Sequence, residues 1–187
     1  MTINLGSTPN VYRILNSTTQ NIAEADVIAR LQEADRKIRA RHFNHYMEDQ
    51  LFATSQGRNG TIRRSYELYF PVKQGTTPKV FILGQELTAS DYTITDNYLT
   101  ISSTAVLNYG DQIVVHYTPD FFDDYANYMA AMRIIDSGMI DAGSSVATIQ
   151  IRDNVKQNLT EYERLLAKKP FVGRFRDHND SFGNGIN

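Results

Sequence analysis

The chain has no cysteine, no tryptophan, only 5 prolines among 187 residues, and no apolar run approaching the roughly 18 residues that cross a bilayer. Without cysteine there are no disulfide staples, thiol nucleophiles or thiolate metal sites. The opening Met1-Thr-Ile-Asn-Leu-Gly carries neither a basic nor an apolar segment, so no secretory signal is expected. Asn16-Ser-Thr, Asn59-Gly-Thr and Asn158-Leu-Thr then read as chance glycosylation sequons. An excess of one charge is missing too. The 19 Lys and Arg against 21 Asp and Glu leave a net charge of -2, which argues against a dedicated nucleic-acid binder. Glycine-rich phosphate loops and a G-x-S-x-G elbow are absent, since Gly183-Asn-Gly has no strand before it and no helix after it.

What is present is a chain with 41% hydrophobic residues, 11 Tyr and 9 Phe. A chain of this length forms one domain, or one domain with an insertion, and buries roughly 70% of its unfolded surface. Aromatic residues beyond the needs of a core gather at interfaces.

Residues 1–20 are polar and turn-rich and read as an arm, with Val11-Tyr-Arg-Ile-Leu15 as one short extended or helical piece. Asn21-Ile-Ala-Glu24 has the pattern of a capping box. Val27, Leu31, Ala34 and Ile38 follow at spacings of four, three and four, which marks an amphipathic helix. Phe43, Tyr46 and Met47 carry that helix on to about Glu48. Residues 53–61 are a loop by composition. Five runs rich in β-branched and aromatic residues then start at Ser65, Lys79, Asp91, Tyr98 and Gln112, set apart by Gly75, Gly84, Asp96-Asn97 and Gly110-Asp111. Alternation within them predicts an antiparallel sheet with one wet face, and Asp96-Asn97 predicts a tight hairpin. Thr118-Pro119 reads as an N-cap and first helical residue. The helix behind it is apolar nearly all round, through Phe121, Phe122, Tyr125, Tyr128, Met129, Met132 and Ile135, and Gly138 stops it. Gly143-Ser-Ser is a loop. Ala147-Thr-Ile-Gln-Ile is a short strand or a helix lead-in, and Val155, Leu159, Tyr162 and Leu166 mark a last helix from about Asp153. The fold class is α+β: a small helical bundle with an inserted antiparallel β module and extended N- and C-terminal arms. The boundaries are an arm at 1–20, a helical core at 21–61 and 119–169, the β module at 62–118 and a tail at 170–187.

The chemistry on offer is sparse. His42, His45 and Glu48 would share a helix face, but they lack the His-Glu-x-x-His order and a further ligand at a recognisable spacing. The expectation is therefore no catalytic residue, no metal and no cofactor. His116 reads as an exposed strand residue. Arg36, Lys37, Arg39 and Arg41 form a basic helix face that is either simply solvated, a phosphate tracker, or complementary to Asp120, Asp123 and Asp124 on a neighbouring copy. In the tail, Phe171, Phe175 and Phe182 stand beside Arg174 and Arg176 in a stretch too polar to bury them itself. Aromatic and Arg anchors of this kind suit a segment that orders on a partner.

The long first helix Glu24-Ala-Asp-Val-Ile-Ala-Arg-Leu-Gln-Glu-Ala-Asp-Arg-Lys-Ile, the β insertion and the later helices together resemble a phage head-to-tail adaptor, or head completion, protein. Within the insertion the resemblance rests on Val80-Phe-Ile-Leu-Gly-Gln-Glu-Leu, Asp91-Tyr-Thr-Ile, Leu99-Thr-Ile and Gly110-Asp-Gln-Ile-Val-Val-His-Tyr117, and it covers roughly residues 20–170. It implies a homo-oligomeric ring, typically of about twelve copies, under the portal protein of a DNA-filled capsid. The ring extends the DNA channel without sequence-specific DNA contacts and offers a platform to a downstream tail or adaptor protein. It involves no membrane. On this reading Phe171, Arg174, Phe175, Arg176 and Phe182 anchor the portal. The β pattern also resembles tail-fibre attachment domains.

Overall fold

The computed structural model describes residues 5–16, 21–41, 47–56, 60–140 and 146–168. They form a mixed α+β chain in the order α1 (Thr8–Leu15), α2 (Glu24–Arg41), β1 (Met47–Phe52), β2 (Ser55–Gln56), β3 (Thr61–Ile62), β4 (Ser65–Glu67), β5 (Lys79–Ile82), β6 (Gln85–Glu86), β7 (Tyr92–Thr95), β8 (Tyr98–Ile101), β9 (Gln112–Tyr117), α3 (Phe122–Asp136) and α4 (Val146–Lys168). The described residues divide into two compact units. One joins those up to Met47 with those from Thr118, and the other is Glu48–Tyr117.

In the helical unit the stripe expected on α2 is buried as a whole, Val27, Leu31, Ala34 and Ile38 being at most 3% exposed. α3 packs against each of the other three helices. Its buried wall of Phe122, Tyr125, Ala126, Asn127, Ala130, Ala131, Ile134 and Ile135 explains why the sequence looked apolar nearly all round. Gly138 ends α3 as expected, at φ +71 with its N–H on the Ile135 carbonyl at 3.1 Å.

Residues 5–16 do not form an arm. Leu5, Val11 and Leu15 are buried, and α1 packs on α2, α3 and α4. An eight-residue helix is too short to persist alone, so tertiary packing supplies its stability. Its approach is fixed at the backbone: Gly6 N–H donates to Asp123 Oδ1 at 2.9 Å and Ser7 N–H to Asn127 Oδ1 at 2.8 Å. Gly6 sits at φ +79, and a Cβ there would lie 2.7 Å from both Asn127 Oδ1 and Leu31 Cδ2.

Several element boundaries differ from the sequence reading. The first long helix ends its described run at Arg41, and Met47 and Glu48 belong to a strand. α2 opens at Glu24, so Asn21 is not its cap. Ile22 is buried there, and its carbonyl accepts the Tyr12 hydroxyl at 3.0 Å, which fixes the linker outside the helix. α3 starts at Phe122 with Phe121 at its N-cap, while Thr118, read as the cap, is buried. Ala147–Ile151 is helix, because α4 begins at Val146. Phe43 and Tyr46, and the loop at Gly143, lie outside the described residues.

The β unit begins near residue 48 rather than 62 because β1 joins β9 at the edge of a four-stranded sheet ordered β1-β9-β5-β6. The stretch read as a loop contains β2, which pairs with β3. A three-stranded sheet follows the order β4-β8-β7. The β2–β3, β4–β8, β5–β6, β5–β9 and β7–β8 pairs are antiparallel. Alternation in β9 buries Ile113, Val115 and Tyr117. The Asp96-Asn97 hairpin is present, with Thr95 opposite Tyr98 and Asp96 at φ +55.

A polar knot crosses this core. The Tyr117 hydroxyl donates to Asp49 Oδ2 at 3.0 Å and accepts the Phe70 N–H at 3.1 Å, while Tyr69 N–H donates to the same carboxylate oxygen at 2.6 Å. Burial, with Asp49 alongside, drives the Tyr117 phenol far above its ordinary range. Tyr117→Phe leaves a buried amide and carboxylate short of a partner and is expected to cost about 2 kcal/mol. Urea unfolding with an unchanged midpoint would contradict it. Gly6→Ala combines a left-handed backbone with a steric clash and is expected to cost at least ~2 kcal/mol. Thermal unfolding reads this as a drop of several degrees.

Candidate functional site

The charges singled out by the sequence all lie in the helical unit. α2, the first turn of α3 and the residues just before it position them, and each described partner lies within the chain. The Arg36 Nε–H donates to the Gln32 carbonyl at 3.3 Å. Lys37 pairs with Glu33 at 3.1 Å and Arg39 with Asp35 at 3.3 Å. Glu33 also faces Arg30 at 3.3 Å and Arg133 of α3 at 3.4 Å. The hydrogen bond from Lys37 and the surrounding cations hold the Glu33 carboxyl below its usual range. On the acidic side, Asp123 accepts the Gly6 amide, so it is a docking group for the N-terminal segment as well as a helix-start acid. Such partly exposed pairs contribute only ~0–1 kcal/mol each.

Arg41 and the acids meet at an aromatic cluster that the sequence reading did not assemble. Tyr162 of α4 lies parallel to Phe121 at 5.7 Å, and Tyr125 and Tyr128 tilt toward it, each at 5.9 Å. The Arg41 guanidinium reaches the Tyr125 hydroxyl. Burial first, then Asp124, Tyr128 and Asp120, push the Tyr162 phenol up to about 12. The signal in the sequence was the aromatic spacing Phe121, Tyr125, Tyr128, which reads only as part of a helix that is apolar nearly all round.

The helix face expected to gather His42, His45 and Glu48 lacks its carboxylate, because Glu48 is not on a helix. Glu48 stands on β1, where its carboxylate meets His116 Nε2 of β9 at 3.2 Å. His116 is partly exposed, on the face opposite Ile113, Val115 and Tyr117, as its alternation required. His42 and His45 lie outside the described residues, as do Phe171, Arg174, Phe175, Arg176 and Phe182. Among the described residues no group of three or more His, Asp or Glu is arranged to hold a metal ion. No described helix is long and apolar enough to cross a membrane.

Part of the aromatic excess is packed within the units. Among the described residues Tyr66, Phe70, Tyr117, Phe122 and Tyr125 are buried, and the large apolar side chains that stay exposed are Leu83, Tyr98, Val106, Tyr109 and Ile149. Leu83, Val106 and Tyr109 sit at the same end of the four-stranded sheet, since the Leu83 N–H donates to the Gln112 carbonyl at 3.0 Å, at the start of β9. The loop carrying Val106 and Tyr109 is stapled. Arg64 Nη1 donates to the carbonyls of Ser102 and Ala105, Gly110 N–H donates to the Ala53 carbonyl, and Asp111 Oδ2 accepts the Asn108 N–H. A braced loop that points apolar side chains at water is a candidate association surface. No family model matches the chain, and no curated protein is significantly similar to it.

The raised Tyr162 pKa has a definite sign. A phenol held above its unfolded value near 10 contributes stability that is complete below pH 10 and lost as pH rises through about 12. Tyr162→Phe cannot ionise, so its unfolding midpoint is expected to fall less between pH 10 and 12 than that of the parent chain.

Proposed function

We propose that this chain is a structural virion protein: a head-to-tail adaptor whose copies form a ring beneath the portal, extend the DNA channel and provide a platform for the tail. The observation that carries the reading is the architecture. A helical unit is assembled from both ends of the described chain, and a β unit is let in between α2 and α3. The chemistry fits. A channel through which DNA slides must not hold phosphate tightly, and a net charge of -2 with the α2 cations already engaged avoids that. In this reading the chain acts without a catalytic residue. Its inter-subunit charges are Arg36, Lys37, Arg39 and Arg41 against Asp120, Asp123 and Asp124 of the next copy, and its portal anchor is the tail with Phe171, Arg174, Phe175, Arg176 and Phe182.

A second reading, attachment of a tail or fibre through the β unit, draws on the exposed Leu83, Val106 and Tyr109. Crosslinking to a tail protein and never to portal would favour it.

Deleting residues 171–187 is expected to abolish co-sedimentation with purified portal while circular dichroism stays unchanged. Negative-stain images of the parent chain with portal are expected to show an added ring. Portal binding that survives the deletion removes the anchor assignment, and portal particles that never gain a ring remove the adaptor reading.

A further inference from the structure

The three-stranded sheet of the β unit has two faces of opposite chemistry. Ser65 pairs with Thr100 and Thr100 with Thr93, while Glu67 pairs with Tyr98 and Tyr98 with Thr95. The register therefore lays two cross-strand rows, Ser65–Thr100–Thr93 and Glu67–Tyr98–Thr95, on one face of the sheet. These six positions are contiguous, with neighbours ~5 Å apart across the strands and ~7 Å apart along them. Ser65, Thr93, Thr95, Tyr98 and Thr100 are exposed and Glu67 is half-buried, whereas Tyr66, Leu99 and Ile101 of the opposite face are buried.

The hydroxyls divide in the same way. On the inner face the Tyr66 hydroxyl donates to the Arg63 carbonyl, and the Tyr92 hydroxyl to the Pro78 carbonyl at 2.6 Å. In the turns, the Thr88 hydroxyl is held by Asp91 at 2.5 Å and the Ser102 hydroxyl lies 2.8 Å from that of Thr104. The hydroxyls of Ser65, Thr93, Thr95, Tyr98 and Thr100 have no partner among the described residues. At the hairpin end of the second row, Asn97 Nδ2 donates to Glu67 Oε1 at 3.2 Å. A planar amide and a planar carboxylate thus lie together beside Tyr98, which is 48% exposed.

This inventory selects the ligand. The six positions carry one carboxylate and no cation, so a phosphate-bearing chain finds nothing to pair with. A folded protein uses ~800 Å² per partner, far more than a footprint of about 10 by 7 Å supplies. A neutral sugar matches on every count. Its hydroxyls donate and accept, as do those of Ser, Thr and Tyr, and its C–H face packs on an aromatic ring. Such packing favours a pyranose whose hydroxyls are all equatorial, and a flat sheet favours a flat chain. β-1,4-linked glucose has both properties. We propose that this face binds a neutral glycan of the β-1,4-glucan type. Tyr98 stacks on one ring, Glu67 and Asn97 hold the hydroxyls of that ring, and the Ser65–Thr100–Thr93 row holds those of its neighbour. The proposal does not rest on the adaptor reading, and portal takes no part in its test.

The probe is cellotetraose, titrated into the full-length ¹⁵N-labelled chain and followed by amide chemical shifts. Saturable shifts are expected within residues 65–67 and 93–100, with a Kd on the order of 1 mM, as befits a shallow open site. Tyr98→Ala is expected to weaken binding roughly ten-fold through the lost stack. Thr93→Val with Thr100→Val, which preserves side-chain shape, is expected to weaken it about three-fold through lost hydrogen bonds. Circular dichroism checks that each variant is folded, and the valine pair decides alone if the Tyr98 variant is not. Sorbitol, which offers hydroxyls without a ring face, is expected to give no saturable shift. The proposal is overturned if cellotetraose gives none, if sorbitol matches it, or if folded variants bind as the parent does.

Discussion

The two-unit arrangement depends on closure of the β unit on itself. α2 and α3 pack against each other although the whole Glu48–Tyr117 stretch lies between them in sequence. Bringing the ends of such a loop together costs about 4 kcal/mol in chain entropy. The first and last strands of the insert meet this cost by being neighbours, β1 beside β9. At that neck Glu48 meets His116 and Asp49 accepts the Tyr117 hydroxyl, so entry and exit of the chain are clasped by one exposed and one buried polar contact. The buried one matters more. Exposed ion pairs are worth little, whereas a buried carboxylate that loses a donor keeps its full desolvation penalty.

The helical unit solves a related problem with a buried amide. Asn127, fully buried in the middle of α3, gives its oxygen to the Ser7 N–H, and Asp123 one turn earlier takes the Gly6 N–H. Two side chains on one helix thus read the backbone of a distant segment and set the register of α1. Apolar contacts alone hold α1 without specifying that register. The cost is a position where glycine is required twice over, by its positive φ and by the lack of room for a Cβ.

How much of this was legible in the sequence follows from the range of the interactions. The α2 stripe, the Asp96-Asn97 hairpin, the alternation of β9 and the stop at Gly138 depend on neighbours within a few residues, and each stands where the pattern put it. The boundaries near Glu48 did not. Met47-Glu48-Asp49-Gln50-Leu51-Phe52 alternates well enough for a strand and continues a helix well enough for a helix, and only β9, more than sixty residues away, decides. Val11-Tyr-Arg-Ile-Leu15 was legible as a short extended or helical piece, but the burial of α1 was not, because so short a segment says little until α3 receives it. The candidate surfaces divide likewise. The charged residues of α2 and α3 could be read directly, but their intrachain partners could not. Exposure of Leu83, Val106 and Tyr109 is a tertiary property with no local signature, except for a leucine ahead of glycine in a two-residue turn.

The clasp at the neck of the insert also bears on descent. A module whose two ends leave side by side can be swapped for another of different length or shape, provided the replacement also brings its ends together. Selection can then reshape the outer end of the β unit while the helices keep their packing. Recombination has natural seams here, at the start of β1 and just after β9, where the chain divides into its two units.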